Sequence, residues 1–301
     1  MKQQQSEKLH SFEVQLPGPL DIPASLEVFR RWGDDGLDRW DGRVLLRTTR
    51  VEGQPVPFAC TMTGTVDAPG VALMVASPAH APAIASVVNT MYVAAPGALA
   101  DLVLADPVIA ALETRYRGVR PVLQSDLFTA LIRSISAQQV NLKWAATVRR
   151  RLAETFGRRH MLGPYEVISL EADRLAAATV SELRALQFTT RKAEYIIALA
   201  TAIATGYLDL EALRMAPDAE VITRLTAFRG LGVWTAEWFL ARALGRARVA
   251  AGDLGVRKAV GAVYLQGQMP TEAEVRRLTA HWGEAAGVAQ QLILHALSYG
   301  V

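Results

Sequence analysis

The 301-residue chain contains a single cysteine, Cys60. One thiol excludes a disulfide framework, a four-cysteine zinc site and a cysteine-ligated iron–sulfur cluster, and it points to a reducing compartment. The five histidines show no ligand-like grouping. His160, His281 and His295 stand alone, no zinc or di-metal pattern can be built from them, and no metal is expected. A long hydrophobic run is also missing: the most apolar region, Val71 to Val88, is interrupted by Pro78, His80 and Pro82. That excludes an uninterrupted membrane-spanning helix. The start, Met1 to Val14, carries Lys2, Glu7, Lys8 and His10 with no continuous apolar stretch, so no secretion signal is expected and the cytoplasm is the default location. Internal repeats and low-complexity tracts are absent as well.

A strong overall charge is lacking too: the net charge is +3 and the isoelectric point about 9.1, which does not by itself identify an anionic partner. Its distribution says more. Between Arg115 and Arg159 lie ten basic residues (Arg115, Arg117, Arg120, Arg133, Lys143, Arg149, Arg150, Arg151, Arg158, Arg159) against two acids, Asp126 and Glu154. Such a run reads either as a solvated helix face or as a nucleic-acid footprint.

What is abundant is apolar residues, at 51%, enough for a sizeable core divided into two or three compact units. Residues 1–93 mix β-type runs with turn punctuation. Val44 to Val51, Phe58 to Val66 and Val71 to Val75 are separated by Glu52-Gly53-Gln54-Pro55 and Asp67-Ala68-Pro69-Gly70, with one helical stretch around Ser25 to Trp32. This predicts an antiparallel-sheet α+β domain. From about Ala98 onward, alanine- and leucine-rich segments with apolar residues three and four apart predict an all-helical region, 94–301, of two lobes with a cleft between them. Expected helices include Leu127 to Ser136, Leu142 to Phe156, Lys192 to Thr205, Glu220 to Phe228, Thr235 to Leu244, Val256 to Leu265 and Ala286 to Tyr299. Ser181 is read as a cap, and Thr271 with Glu274 as a capping box.

The most informative segment is Leu225-Thr226-Ala227-Phe228-Arg229-Gly230-Leu231-Gly232-Val233-Trp234-Thr235-Ala236. Two helical patterns flank a short glycine turn at 228–234. Gly230 and Gly232 permit backbone angles and close approaches closed to other residues. The amides at the start of the following helix point outward, where they can receive a phosphate and so dock a nucleic-acid backbone without reading bases. Gly230-Leu231-Gly232 with Asp253 about twenty residues on also imitates a dinucleotide-binding fingerprint. That reading needs a strand before the glycines, whereas Val221, Leu225 and Phe228 recur at helical spacing.

Together with Ala-Gly-Asp-Leu-Gly-Val-Arg-Lys-Ala at Ala251 to Ala259, the hairpin resembles the helix-hairpin-helix DNA glycosylases of the 3-methyladenine DNA glycosylase II type. Ser134 to Val140 is similar to that family's Gln-containing helix junction, and Phe188 to Ala200 to its Ser-x-x-Lys-Ala-x-x-Ile helix. The resemblance covers about Asp101 to Leu297, and only weakly the sheet domain. It implies a monofunctional enzyme that flips an alkylated base out of double-stranded DNA and hydrolyses its N-glycosidic bond.

Asp253 is the implied catalytic carboxylate, set beside the sugar as C1′ becomes cationic. Read without the resemblance, an aspartate there is simply a helix N-cap, and both roles are compatible. Bifunctional relatives carry a lysine in the part of the hairpin helix where this chain has Trp234, so strand cleavage through a Schiff base is not expected. Trp234 and Trp238, four residues apart, are read as walls of a base pocket, with Trp282 and Gln138 as further contributors. The family's Trp-x-Pro-x-Arg run is here Trp282-Gly283-Glu284-Ala285-Ala286, a departure. Gln139 matches the residue that fills the gap left in the duplex. Arg229, Gly230, Gly232, Thr235, Arg257 and Lys258 are expected at the DNA backbone. No cofactor is expected, although the resemblance allows a structural monovalent cation on hairpin carbonyls. A monomer suffices to scan a duplex. Two readings compete: a noncatalytic hairpin DNA-binding module, and a glycosylase of the same fold with another damaged-base substrate.

Overall fold

The computed structural model describes residues 8–300. The chain opens with β1 (His10–Gln15) and α1 (Ile22–Leu26), followed by β2 (Arg39–Trp40), β3 (Val44–Val51), β4 (Gln54–Gly64), β5 (Pro69–Val75) and α2 (Ala81–Thr90). The strands form one antiparallel sheet in the order β1-β5-β4-β3-β2. Its register pairs Leu45 with Cys60 and Cys60 with Leu73, while Leu46, Ala59 and Met74 pair one position along. Because side chains alternate across a strand, these two rows face opposite sides. Leu45, Phe58, Cys60 and Leu73 pack with Ile84 and Val88 of α2.

The remainder comprises α3 (Pro96–Ala105), α4 (Pro107–Arg115), α5 (Leu127–Ala137), α6 (Leu142–Phe156), β6 (Arg158–Leu162), β7 (Tyr165–Ser169), α7 (Ala172–Ala176), α8 (Val180–Ala185) and α9 (Thr190–Ala204). It ends with α10 (Asp218–Thr226), α11 (Val233–Arg242), α12 (Leu254–Tyr264), α13 (Glu272–Leu278) and α14 (Ala286–Tyr299). The expected all-helical character of this part needs correction, since β6 and β7 form a two-stranded hairpin. Leu162 and Val167 of that hairpin bury against Leu46 and Ala59, covering the second face of the sheet. Short alternating strands closed by a two-residue turn carry no helical period, and the surrounding arginines masked them. The cap before α8 is Thr179, whose hydroxyl and Glu182 form a capping box, rather than Ser181. The Thr271–Glu274 box stands at the start of α13 as read.

Two apolar cores organise the helices. One gathers α5 to α11 around Leu131, Ile135, Leu152, Ile196, Leu225 and Phe239. The other gathers α3, α4 and α12 to α14 around Ile109, Val256, Val260, Trp282, Leu292 and Ile293. Helix α11 belongs to both: Ala236, Phe239 and Leu240 enter the first, while Trp238 packs on the second. The loop from α11 to α12 therefore joins the lobes.

Much of the basic run is paired within the chain. Arg117, Arg120, Arg133, Arg149, Arg150, Arg158 and Arg159 each pair with a carboxylate. Arg133 spans Asp35 and Asp38 at 3.1 Å each, Arg149 meets Asp35 at 3.0 Å, and Arg47 meets Asp38 at 2.5 Å. This buried cluster ties the sheet domain to α5 and α6, whose junction projects toward the hairpin. Burial pushes the Asp38 carboxyl up, and the Arg47 and Arg133 guanidiniums more than offset it, leaving it below the usual range. Among the described residues no helix is long and apolar enough to cross a membrane.

Candidate active site

Helices α10 and α11 flank the glycine turn, and each glycine there has a separate reason. Gly230 adopts φ +89°, and a Cβ on it would overlap the Tyr195 ring of α9. Any larger residue would meet both backbone strain and a hard contact. Gly232 is the N-cap of α11, with extended backbone and open space around it. The first-turn amides of α11 have no side-chain cap, and Val233 beside them is exposed. They form an outward-facing partial positive charge suited to an anion such as phosphate.

The turn is braced from two neighbouring helices. The Gln138 side-chain amide donates to the Gly230 carbonyl at 2.7 Å, and Lys192 Nζ of α9 donates to the Ser136 carbonyl at 2.9 Å. Partial burial pulls the Lys192 pKa down. The end of α5, the start of α9 and the hairpin are thereby locked together. Past that lock, Gln139 is exposed with φ +54°, and Val140 and Leu142 are exposed beside it. A left-handed backbone at a non-glycine residue costs on the order of 1–3 kcal/mol. Asn141 then caps α6 by accepting from Trp144 N at 2.8 Å.

Across the loop that joins the lobes, Asp253 is the N-cap of α12 and is half-buried. Its Oδ1 accepts from Val256 N at 2.9 Å, and its Oδ2 accepts from Trp234 Nε1 at 2.8 Å. Each oxygen retains a further lone pair for a water or an electron-poor carbon. The carboxylate is thus fixed by one backbone and one indole N–H at the start of α12. Trp234 presents its edge to Asp253, and Trp238 lies one turn further along the same helix face.

Arg242, one turn beyond Trp238, escaped the sequence reading. Its guanidinium carbon sits 5.1 Å from the Trp238 ring centre, and its Nη2 donates to Gln291 Oε1 of α14 at 2.6 Å. The four-residue spacing Trp234, Trp238, Arg242 was a readable signal. An arginine at a helix C-terminus ordinarily satisfies the dipole in solvent, which hid it.

Several expected contacts are not where the sequence suggested. Trp282 is 1% exposed inside the second core, with its Nε1 donating to Tyr264 OH at 3.2 Å, so it walls no open pocket. Thr235 is fully buried and cannot reach a DNA backbone. Arg257 is half-buried and its Nε donates to the Pro270 carbonyl at 2.8 Å, a structural use. Gln138 uses its amide N–H on the hairpin. Arg229 and Lys258 are exposed. The described residues contain no cluster of three or more His, Cys, Asp or Glu able to hold a metal.

Residues 132–285, which include the Gln138 junction, the hairpin and Asp253, match the family of HhH-GPD superfamily base excision DNA repair proteins. A DNA-3-methyladenine glycosylase of Bacillus subtilis is 29% identical over 194 residues, 61% of this chain and 61% of that protein. The chain thus spans about three-fifths of the length of the first curated relatives it matches. Among solved structures, a 3-methyladenine DNA-glycosylase from Archaeoglobus fulgidus superposes with a TM-score of 0.85 at 22% identity, over 96% of this chain and 99% of that one. An 8-oxoguanine glycosylase/lyase from Clostridium acetobutylicum, in complex with double-stranded DNA, superposes with a TM-score of 0.72 at 17% identity, over 94% of each chain. At such identities the superpositions show a shared fold.

Proposed function

The chain belongs to the HhH-GPD superfamily of base excision DNA repair proteins, and from that premise we propose that it is a monofunctional glycosylase that hydrolyses the N-glycosidic bond of alkylated bases in duplex DNA. The observation that carries the reading is the Asp253 carboxylate, held by Val256 N and Trp234 Nε1 at the start of α12, next to a hairpin with free amides.

The hairpin amides would seat a phosphate and the exposed Gln139 would fill the space left by an extruded nucleotide, bringing the sugar to Asp253. As the C1′–N bond breaks, its electron pair leaves with the base and C1′ acquires oxocarbenium character. The fixed carboxylate stabilises that charge without having to reorganise. Water then adds to C1′ and loses a proton, giving a free base and an abasic site. An alkylated purine of the 3-methyladenine or 7-methylguanine type already bears positive charge and departs as a neutral molecule, so a second carboxylate acting as general acid is not needed.

Fold alone does not decide whether the sugar is also attacked by an amine, since this architecture is shared with a glycosylase/lyase. Position 234 argues against it, because an indole donating to Asp253 offers no nucleophile there. Mass spectrometry of bases freed from methylated duplex, with gels of the product DNA run without heat or alkali, tests both parts. Release of alkylated purines with intact strands is expected. Absence of release refutes the activity, and spontaneous scission refutes the monofunctional reading.

A further inference from the structure

Trp234, Trp238 and Arg242 follow one another at four-residue intervals on α11, so they share the face that meets Asp253. Arg242 is held from two sides, by the Trp238 ring at 5.1 Å and by Gln291 at 2.6 Å. Among the described residues it makes no ion pair, and Gln291 is the one acceptor that engages its guanidinium. Burial pulls its pKa down to about 10, while the Asp253 charge opposes the shift, so the group remains a cation at neutral pH. A fixed, partly desolvated guanidinium without a carboxylate partner is costly, and its remaining N–H groups are free to donate.

Building on the glycosylase reading, we propose that Arg242 is the charge-selecting residue of the base pocket, favouring damaged bases that depart as anions over those attached as cations. When a neutral lesion leaves, the C1′–N electron pair makes the base anionic until it takes a proton from solvent, while water supplies hydroxyl to C1′. A cation held beside that base stabilises the developing negative charge. When a cationic alkylpurine is bound, the same guanidinium repels it in the ground state, and the repulsion fades as the base leaves neutral. Arg242 therefore lowers the bond-breaking barrier for either bound base but weakens binding of cationic ones, so its selection for neutral lesions shows in release measured from free duplex.

The test compares wild type, Arg242→Gln and Arg242→Lys on two duplexes, one carrying hypoxanthine as the neutral lesion and one carrying 7-methylguanine. Single-turnover release and duplex affinity are read for each. Each release rate is taken with enzyme well below its Kd, so that it includes binding, and the ratio of the two within one preparation cancels any partial unfolding. We expect Arg242→Gln to lower the neutral-to-cationic ratio by about tenfold or more, with 7-methylguanine duplex bound as tightly or tighter. Arg242→Lys should restore most of the ratio. An unchanged ratio in Arg242→Gln, or a wild type that releases only the cationic base, overturns the assignment. A wild type that releases neither base refutes the glycosylase reading itself.

Discussion

Replacing Trp234 by phenylalanine keeps an aromatic ring on α11 but deletes the N–H that holds Asp253 Oδ2 at 2.8 Å. Hydrogen bonds to a charged group contribute about 1.5–3 kcal/mol, so the lost anchor is large on the scale of a catalytic effect. The Val256 amide still holds Oδ1 at 2.9 Å, so the carboxylate stays at the head of α12 and gains rotational freedom rather than leaving. If most of that bond serves to aim the carboxylate at the sugar, the barrier rises by about 1.4–2.7 kcal/mol and base release slows about 10- to 100-fold. The assay is single-turnover release from methylated duplex at saturating enzyme, with affinity for a duplex bearing an abasic-site analogue measured in parallel. Affinity should change less than about threefold, because the hairpin amides and Gln139 are untouched. A Trp234→Phe enzyme that releases bases at a rate close to wild type would show that the indole does not aim Asp253.

Gly232→Asp places a negative charge in open space before the free amides of α11, so the protein should melt normally and bind damaged and undamaged duplex about tenfold more weakly at low salt. Unchanged affinity in a filter-binding assay removes the docking role. Gly230→Ala should instead lower stability by about 2–4 kcal/mol, because φ +89° and the Tyr195 ring both oppose a Cβ. A melting temperature equal to wild type contradicts that packing. For the buried ion cluster, the depressed Asp38 pKa means its contribution is present above the unfolded value of 3.8 and is lost as pH falls through the lower folded value. Asp38→Asn should therefore be less stable at neutral pH and show a shallower acid limb below about pH 4, measured by urea unfolding. An unaltered acid limb assigns the acid sensitivity to other carboxylates.

Local rules made the framework legible. Helix α6 runs from Leu142 to Phe156 and α14 from Ala286 to Tyr299, as their apolar spacing indicated, and β3 spans Val44–Val51 as its turn punctuation indicated. At Asp253 the two readings converge, since the residue caps α12 and also holds the indole of Trp234. What stayed hidden depends on partners far apart in sequence. The basic stretch looked free because Arg133 and Arg149 find their carboxylates at Asp35 and Asp38, about a hundred residues earlier. Arg242 gave no sign of its tie to Gln291, 49 positions away. Trp282 and Thr235 point into a core that only the assembled lobes define, and no local periodicity distinguishes an aromatic wall from an aromatic interior. The hairpin of β6 and β7 matters only where it closes over the sheet.

The central claim concerns the Asp253 carboxylate, and Asp253→Asn tests it most directly. Asparagine caps helices about as well as aspartate, so α12 and the fold should persist. With the negative charge gone, release of alkylated purines from methylated duplex should fall on the order of 100- to 1,000-fold while duplex affinity stays within a few-fold of wild type. Release at the wild-type rate by a folded, DNA-binding Asp253→Asn enzyme would contradict the account.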